Sequence, residues 1–218
     1  MSEALLDAMP PGGWTTDDLD RMPVSNRRYE LTDGALTVSP SPSNLHQMLL
    51  IKLGARLDSE VPEPYTVTGD VEIRFARQLT RIPDLMIVQS EQPGRHWFAP
   101  AEVLVAVEIE SPGNHIEDRT TKPAIYARFG IPQCWRIEPE PLRVTTYRLG
   151  EGDTYHETGV GDRFAVTEPF ELDLPLADLL PRWARRYRGL RSRTRTEIRT
   201  GLPWNPKVSR NRRSRNRR

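Results

Sequence analysis

The chain has 218 residues, of which 37% are hydrophobic and 28% are charged. A chain of this length is expected to form one domain, or one domain with an appendage, and to bury roughly 70% of its unfolded surface. No stretch approaches the ~20 apolar residues of a membrane helix, and the N-terminus does not have the pattern of a signal peptide. The lone Cys134 excludes an intrachain disulfide and a multi-cysteine zinc site. The composition therefore predicts a cytoplasmic protein without a membrane segment.

The net charge of +1 combines two opposite parts of the chain. Residues 182–218 contain 15 basic residues and one acid, for a net charge of +14, whereas residues 1–181 carry −13. We predict a folded domain over 1–180 and a basic, disordered tail over 181–218, because the tail lacks apolar periodicity and turn signals. The tail either contacts nucleic-acid phosphates by counterion release or is a solvated extension, and the sequence leaves both interpretations open.

The sequence of the first part of the domain predicts two helices with a β-hairpin between them. Thr15 or Thr16 is a suitable cap for a short helix at DDLDRM. The run RRYELTDGALTVSP predicts a hairpin, because its Asp-Gly pair is a strong signal for a two-residue turn. Apolar residues at helical spacing predict a second helix in SPSNLHQMLLIKLGARLDSEVP, capped by Ser43 or Asn44.

Strand-like runs dominate the remainder of the domain. The first is the alternating run YTVTGDVEIRF. DLMIV and VLVAVEI are almost entirely apolar, as expected for strands covered on both faces. A helix around Lys122–Phe129 precedes the strand CWRI, and further antiparallel strands are predicted at the far edge of the sheet in LRVTTYRL, TYHETGV and FAVTEPFELDL. This order predicts a mixed α/β or α+β sheet with few helices.

Two acidic residues flank the apolar runs, Asp84 before one and Glu108 within the other. If the runs are antiparallel neighbours, their connection contains residue 96, which is midway between Asp84 and Glu108. The pairing then places the two residues opposite each other, with Cβ atoms roughly 4.5–5.5 Å apart. Carboxylates that close repel unless a proton or cation lies between them, and Mg²⁺ prefers oxygen ligands. The sequence therefore predicts a metal site here, with Glu110 on the same face as Glu108. The alternative is that Asp84 caps a strand end and Glu108 lies at an exposed sheet margin.

Lysine is rare in this chain, with three residues (Lys52, Lys122 and Lys207) against 28 arginines. Lys122 is predicted in the first turn of the helix around Lys122–Phe129, which Thr120 would cap. This turn is expected near the end of the strand that contains Glu108. A compact ammonium that can be re-tuned by burial is one explanation for this lysine, although residue usage alone favours a random surface lysine. Asp118, Lys122 and Tyr126 follow one another at intervals of four, which places them on one helical face if the helix includes all three.

Three runs of the sequence carry a resemblance to a known family: YELTDGALTVSPSPSNLHQ, RIPDLMIV and VAVEIESPGNHIEDRTTKPAIYARFGIPQCWRIEP. In this order and spacing they resemble the Uma-type putative restriction endonuclease family of the PD-(D/E)XK nuclease superfamily. The resemblance extends from about Arg21 to Leu180. It implies a restriction-endonuclease-like αβββαβ core, here with additional antiparallel strands, and Mg²⁺-dependent hydrolysis of phosphodiester bonds, with Mn²⁺ as a substitute ion.

The resemblance also implies roles for individual residues. Asp84 matches the motif aspartate and Glu108 the acidic residue of the (D/E)XK motif, and these two with the carbonyl of Ile109 would hold the metal ion. Glu110 stands where the superfamily usually has lysine, and Lys122 matches a migrated replacement for that lysine. Two further positions, Glu30 and His46, match polar residues of the family's pocket. The departure at Glu110 leaves open how strongly this chain cleaves.

The expected substrate is DNA, although a domain with net negative charge needs a source of positive potential to bind it. The basic tail is one source, and a homodimer formed around Arg74, Arg77, Arg81 and Arg119 is the other. Two alternatives to the endonuclease stay open. One is a nucleic-acid-binding module that has lost efficient cleavage, and the other is a carbohydrate hydrolase that uses a carboxylate pair without a metal.

Overall fold

The computed structural model describes residues 9–23, 27–39, 41–89, 94–111 and 116–180. The predicted basic tail at 181–218 lies outside the described residues, so the boundary of the folded domain and the state of the tail stay predictions. Within the described residues, no helix is both long enough and apolar enough to cross a bilayer.

Strands outnumber helices in the described part of the chain. The helices are α1 (Thr16–Asp20), α2 (Asn44–Asp58), α3 (Lys122–Arg128) and α4 (Leu176–Leu179), with a 3₁₀ turn at Pro100–Glu102 and a π-helix at Glu117–Thr121. The strands are β1 (Arg28–Thr32), β2 (Ala35–Ser39), β3 (Tyr65–Gly69), β4 (Glu72–Ala76), β5 (Leu79–Arg81), β6 (Leu85–Gln89), β7 (Trp97–Phe98), β8 (Val103–Ile109), β9 (Gln133–Pro139), β10 (Leu142–Leu149), β11 (Tyr155–Gly161), β12 (Arg163–Val166) and β13 (Leu172–Pro175).

One mixed sheet of six strands, in the order β11-β10-β9-β8-β6-β3, organises the fold. Its neighbouring strands are antiparallel except for β8 and β9, which run parallel. Parallel strands need a long crossover, and the π-helix and α3 provide it between β8 and β9. Strands β5, β4 and β7 form a smaller sheet, and β1–β2 and β12–β13 are two-stranded. The predicted mixed α/β class with few helices is therefore confirmed.

Local signals in the sequence explain how the elements before the sheet begin. The Thr15 hydroxyl caps α1, and Asp18 Oδ2 accepts a hydrogen bond from the Thr15 amide at 2.9 Å to complete a capping box. The turn of the β1–β2 hairpin has positive φ at Asp33 (49°) and Gly34 (81°), a conformation that suits tight hairpins. Ser43 caps α2 by accepting from the amide of His46 at 3.2 Å. These three predictions are confirmed.

Three details of the predicted elements are wrong. The run YTVTGDVEIRF is divided at Asp70, whose φ of 55° breaks the extended chain and sends β3 and β4 to different sheets. FAVTEPFELDL is also divided, because β12 and β13 pair with each other and not with the six-stranded sheet. Thr120 is not a helix cap, since it lies inside the π-helix that runs directly into α3.

Strand β8 is buried on both faces, as its apolar sequence predicts. Val105 and Val107 are fully buried on one face, while Ala106 and Glu108 are buried on the other. The Ala106 face belongs to a core cluster that includes Tyr126 from α3. Glu108 is therefore a carboxylate inside the protein, only 1% exposed, and such a group requires partners.

Candidate active site

The pairing of β6 with β8 brings the two predicted acidic positions together. The strands are antiparallel, and Leu85 pairs with Val107, so the next step of this register aligns Asp84 with Glu108. The Ile109 amide donates a hydrogen bond to Asp84 Oδ2 at 2.7 Å, which ties Asp84 to the end of β8. Asp84 is 4% exposed. The strand pairing expected from the sequence is thus confirmed, and neither acid lies at an exposed margin.

Lys122 is the buried cation of the site rather than a surface lysine. Its Nζ donates to Glu108 Oε2 at 2.9 Å. The same ammonium lies 3.7 Å from Asp118 Oδ1 and 3.9 Å from Glu30 Oε1. Because α3 begins at Lys122 immediately after the π-helix, the start of the helix positions the ammonium among carboxylates from three other elements.

Tyr126 supplies the second hydrogen bond to Glu108. Its hydroxyl donates to Glu108 Oε1 at 2.5 Å, so each oxygen of the carboxylate has a donor from the α3 side of the sheet. Sequence analysis placed Asp118, Lys122 and Tyr126 on one helical face but assigned a role to Lys122 alone. Their spacing of four was the signal that could have identified the other two as site residues.

Besides the Ile109 amide, two side chains from elements that precede Asp84 in the chain contact its carboxylate. His46 Nε2, on the first turn of α2, lies 3.1 Å from Asp84 Oδ2. Arg28, on β1, donates from Nη1 to Asp84 Oδ1 at 3.1 Å and from Nη2 to the Ile82 carbonyl at 2.8 Å. The sequence pointed to His46 but missed Arg28, since nothing distinguishes this residue among so many arginines.

Glu30 is connected to the site by a hydrogen bond to the backbone near Asp84. Its Oε1 accepts a hydrogen bond from the Ile82 amide at 2.7 Å and lies near Lys122. The side chain is 6% exposed, so Glu30 is not the exposed strand residue that the sequence left as an alternative. The structure therefore gathers Glu30, His46, Asp84, Glu108 and Lys122 around a common cavity.

That cavity has a volume of about 440 Å³ and is lined by residues from the β1–β2 hairpin, α2, the β6–β8 edge and the π-helix. Its lining is rich in hydroxyl groups. They belong to Thr32, Thr37, Ser39, Ser41, Ser43 and Ser111. The cavity thus combines buried charges at its base with small polar groups that can hydrogen-bond an anionic ligand.

Glu110 is on the same side of β8 as Glu108 but has different partners. Its Oε1 lies 2.7 Å from Arg119 Nε and 3.0 Å from Arg136 Nε. Arg136 is on β9, the strand parallel to β8, where it pairs in register with Glu108. Two guanidinium groups therefore surround the Glu110 carboxylate.

The four arginines proposed for a dimeric DNA surface are engaged within the chain. Arg81 is 1% exposed and donates to the carbonyl groups of Leu31 and Thr80 at 2.7 and 2.6 Å, so it does not face solvent. The other three form ion pairs with acidic side chains: Arg74 with Asp20 and Glu72, Arg77 with Asp17, and Arg119 with Glu110 and Glu138. The choice of Arg81 as a surface residue is therefore wrong, because its side chain links β5 to β1.

The sequence of this chain matches the model of a known protein family. The model of a family described as "Uma2: Putative restriction endonuclease" matches residues 16–181. The chain belongs to this family. The resemblance seen in the sequence motifs is confirmed, and membership of the Uma2 family supports a nuclease function.

A solved structure has the same fold. It is the crystal structure of a putative nuclease belonging to DUF820 from Anabaena variabilis ATCC 29413, and it aligns with a TM-score of 0.60 at 21% sequence identity. The alignment covers 76% of this chain and 96% of that chain. Among curated proteins, no match was found.

Burial and clustered charge move the pKa values of the acids in this Uma2 family member in opposite directions. Burial raises the pKa of Glu108 to about 8, because the attraction of Lys122 does not offset the loss of water and the repulsion of Asp84. Burial also opposes ionisation of Asp84, but the hydrogen bond from His46 and the charge of Lys122 lower its pKa to about 2. Burial raises the pKa of Asp118 to about 6. The pKa of Lys122 is raised, because the neighbouring carboxylates outweigh burial, so the ammonium stays charged.

The carboxylates at this cavity are ligands that suit a hard divalent ion, although in the structure they surround the ammonium of Lys122. No three His, Cys, Asp or Glu side chains within the described residues have a metal-binding arrangement. Carboxylates outnumber the cations beside them, however, and the raised pKa of Glu108 results from burial and from this uncompensated negative charge. In addition, His46 Nδ1 is buried without a hydrogen-bond partner among the described groups. A hard cation would offset the excess negative charge of the carboxylates.

Proposed function

We propose that this protein is a Mg²⁺-dependent endonuclease of the PD-(D/E)XK type that hydrolyses phosphodiester bonds of DNA. The observation that carries the proposal is the assembly of Asp84, Glu108 and Lys122 at one cavity, from a strand start, a strand end and a helix start. Two carboxylates can hold a divalent ion and an ammonium can stabilise developing negative charge, so this combination suits phosphodiester hydrolysis. The similarity to the Anabaena protein, which is itself described as a putative nuclease, supports the same conclusion.

Asp84, Glu108 and the carbonyl of Ile109 would hold the ion, with Mn²⁺ as a substitute for Mg²⁺. When bound, the ion would polarise the scissile phosphate and lower the pKa of a bound water. Binding would require Lys122 to yield part of its contact with Glu108, since the ammonium now lies against that carboxylate. Metal binding requires the ionised form of Glu108, so the ion would have to displace a proton and lower the raised pKa of this carboxyl group. A divalent charge would stabilise the ionised carboxylate more than the ammonium alone.

The chain's own residues then have distinct tasks. Lys122 would orient the attacking water or stabilise the charge that develops on the phosphate. His46 positions Asp84 through its Nε2 contact, and Glu30 fixes the backbone at Ile82 while adding negative charge beside Lys122. Burial of these groups excludes bulk water and therefore strengthens each electrostatic contact.

DNA as the substrate requires positive potential near an acidic domain. The basic residues at 182–218 are the source that we favour, because the arginines considered for a dimer are paired within the chain. Homodimer formation and cytoplasmic location stay predictions from the sequence.

Nicking of supercoiled plasmid with Mg²⁺, with Mn²⁺ and with EDTA tests the proposal. We expect ion-dependent nicking by the wild type and loss of nicking in Asp84→Asn. Asp58→Asn at the exposed end of α2 is the matched control and should cleave normally. Cleavage that persists in EDTA, or in Asp84→Asn, would contradict the proposal.

A nucleic-acid-binding module without efficient cleavage is the second candidate. The specific observation in its favour is the pairing of Glu110 with Arg119 and Arg136 at the position where the superfamily usually has lysine. The plasmid assay combined with a gel-shift assay separates the two functions. Retained DNA binding with no nicking at any ion concentration would support this candidate, whereas ion-dependent nicking excludes it.

A further inference from the structure

The two oxygens of Asp84 are held by groups of different rigidity. Oδ2 accepts from the Ile109 amide at 2.7 Å and lies 3.1 Å from His46 Nε2. Oδ1 accepts from a side chain, through Arg28 Nη1 at 3.1 Å. Since the Ile109 amide is part of the backbone that joins β8 to its neighbours, Oδ2 is occupied by a rigid group. A cation therefore reaches Asp84 with the least rearrangement at Oδ1, by displacing Arg28.

Arg28 differs from the other cations of the cavity in its freedom to move. Its side chain is 24% exposed, compared with 9% for Lys122 and 1% for Arg81. Lys122 is surrounded by carboxylates, and Arg81 is fixed by two backbone carbonyl groups. Arg28 makes one such contact, from Nη2 to the Ile82 carbonyl. Among the cations described at this cavity, Arg28 is therefore the one with room to turn.

A second carboxylate is available to Arg28 when Asp84 is engaged elsewhere. Arg28 Nε lies 3.2 Å from Asp70 Oδ1, and the side chain of Asp70 is 55% exposed. Asp70 lies in the turn between β3 and β4, outside the buried cluster. A guanidinium released by Asp84 would thus stay anchored at the cavity through Nε. Its Nη1 would be available to a ligand at once, and Nη2 would join it by leaving the Ile82 carbonyl, to which it now donates at 2.8 Å.

We propose that Arg28 occupies the cation position at Asp84 Oδ1 in the resting protein, that a divalent ion displaces it, and that the released guanidinium binds the scissile phosphate. This inference rests on the proposed nuclease function and adds a residue to it. A divalent ion and a guanidinium repel each other strongly at one buried oxygen, so their binding is competitive. The planar fork of arginine matches two phosphate oxygens, which gives the displaced group a favourable new partner.

Calorimetric titration of the full chain with Mn²⁺, without nucleic acid, measures the competition. Arg28→Gln removes the competing charge, and we expect it to bind Mn²⁺ about tenfold more tightly than the wild type. Arg28→Lys retains a cation and should stay within about threefold of the wild type. Arg21→Gln is the control, because Arg21 forms an exposed ion pair with Asp18.

Binding of a labelled oligonucleotide in Ca²⁺ measures the second half of the proposal. Arg28→Gln should bind the oligonucleotide more weakly, by about tenfold, although it binds the ion more tightly. Opposite changes in the two affinities are not expected from a general loss of folding, which would weaken both. Equal or weaker Mn²⁺ binding by a folded Arg28→Gln variant would overturn the proposal, as would unchanged oligonucleotide binding.

A crystal structure of the wild type with Mn²⁺ provides a test that needs no variant. We expect the ion at Asp84 Oδ1 and Arg28 Nη1 more than about 4 Å from that oxygen. An ion bound to Asp84 with Arg28 still in place would overturn the inference while leaving the nuclease function intact. Absence of Mn²⁺ binding by the wild type, or equal binding by Asp84→Asn, would instead contradict the proposed metal site itself.

Discussion

Lys122 Nζ and Glu108 Oε2 are 2.9 Å apart, although 14 positions of sequence separate the two residues and one belongs to a helix and the other to a strand. The contact exists because the π-helix and α3 return the chain from the end of β8 across the face that carries Glu108. An ammonium and a carboxylate that are both buried depend on each other, since either one alone would be an unpaired charge.

Replacement of Lys122 by methionine tests its role in catalysis. Methionine retains an unbranched chain but cannot donate to the carboxylates or stabilise a phosphate. We expect the rate of Mg²⁺-dependent plasmid nicking to fall by about 100-fold or more. The control is Lys52→Met on α2, where Nζ donates to the Leu180 carbonyl at 2.9 Å and has a structural role. Similar nicking rates for the two variants would refute an active role for Lys122.

The pKa of Glu108 predicts how stability depends on pH. Its folded-state value, about 8, is above the ordinary value of 4.5, so the protonated form is favoured by folding. This contribution is complete below pH 4.5 and is lost as the pH rises through 8. We expect the free energy of unfolding to decrease across this window in the absence of divalent ions, by up to about 1.4 kcal/mol per pH unit.

Urea unfolding at a series of pH values measures this dependence. Glu108→Gln should flatten the slope above pH 6, while Asp118, whose pKa is raised to about 6, preserves a slope at lower pH. Glu151→Gln is the matched control, because Glu151 lies in an exposed turn. Parallel curves for the wild type and Glu108→Gln would show that Glu108 is ionised throughout.

Removal of the Tyr126 hydroxyl separates positioning from stability. Tyr126→Phe leaves Glu108 Oε1 without its 2.5 Å donor, and we expect a loss of about 1–3 kcal/mol in unfolding free energy. Nicking should also slow, mainly in kcat, because the orientation of Glu108 is less restricted. Tyr155→Phe is the control, since its hydroxyl donates to the Ile131 carbonyl at 2.8 Å. That variant should lose stability without losing kcat.

The surroundings of Glu110 predict that a lysine will not be tolerated at this position. Glu110→Lys would place a third cation against Arg119 and Arg136, so we expect a destabilisation of about 3–5 kcal/mol. The double variant Lys122→Met with Glu110→Lys should stay inactive. Thermal unfolding and nicking assays measure both effects, with Glu157→Lys on exposed β11 as the charge-matched control. Recovered nicking in the double variant would mean that position 110 can replace Lys122.

The sequence predicted the centre of the site because that centre depends on regular geometry. The midpoint between Asp84 and Glu108 lies in the connection of two adjacent strands, and an antiparallel pairing centred there aligns the two residues. The pairs from Leu85 to Ile87 follow this register, which shifts at Val88. The rarity of lysine drew attention to Lys122, but the family resemblance, and not residue usage, assigned it a role. The α/β class also followed from the order of apolar runs and turn signals.

Arg28 could not be predicted because its role depends on where the β1–β2 hairpin lies relative to β6. No local periodicity encodes that position, and the contacts between Arg28 and Asp84 cross 56 residues of sequence. The division between β3 and β4 was missed for a similar reason. Alternation continues through Asp70, whereas a single positive φ at that residue redirects the chain.

The π-helix at Glu117–Thr121 makes the length of this segment as important as its composition. A π turn accommodates one residue more than an α turn, so deleting one residue here would allow a regular helix to form. Such a deletion would improve local hydrogen-bond geometry while rotating Lys122 and Tyr126 away from Glu108. Insertions and deletions at this turn should therefore be rarer among functional relatives than substitutions of its exposed residues.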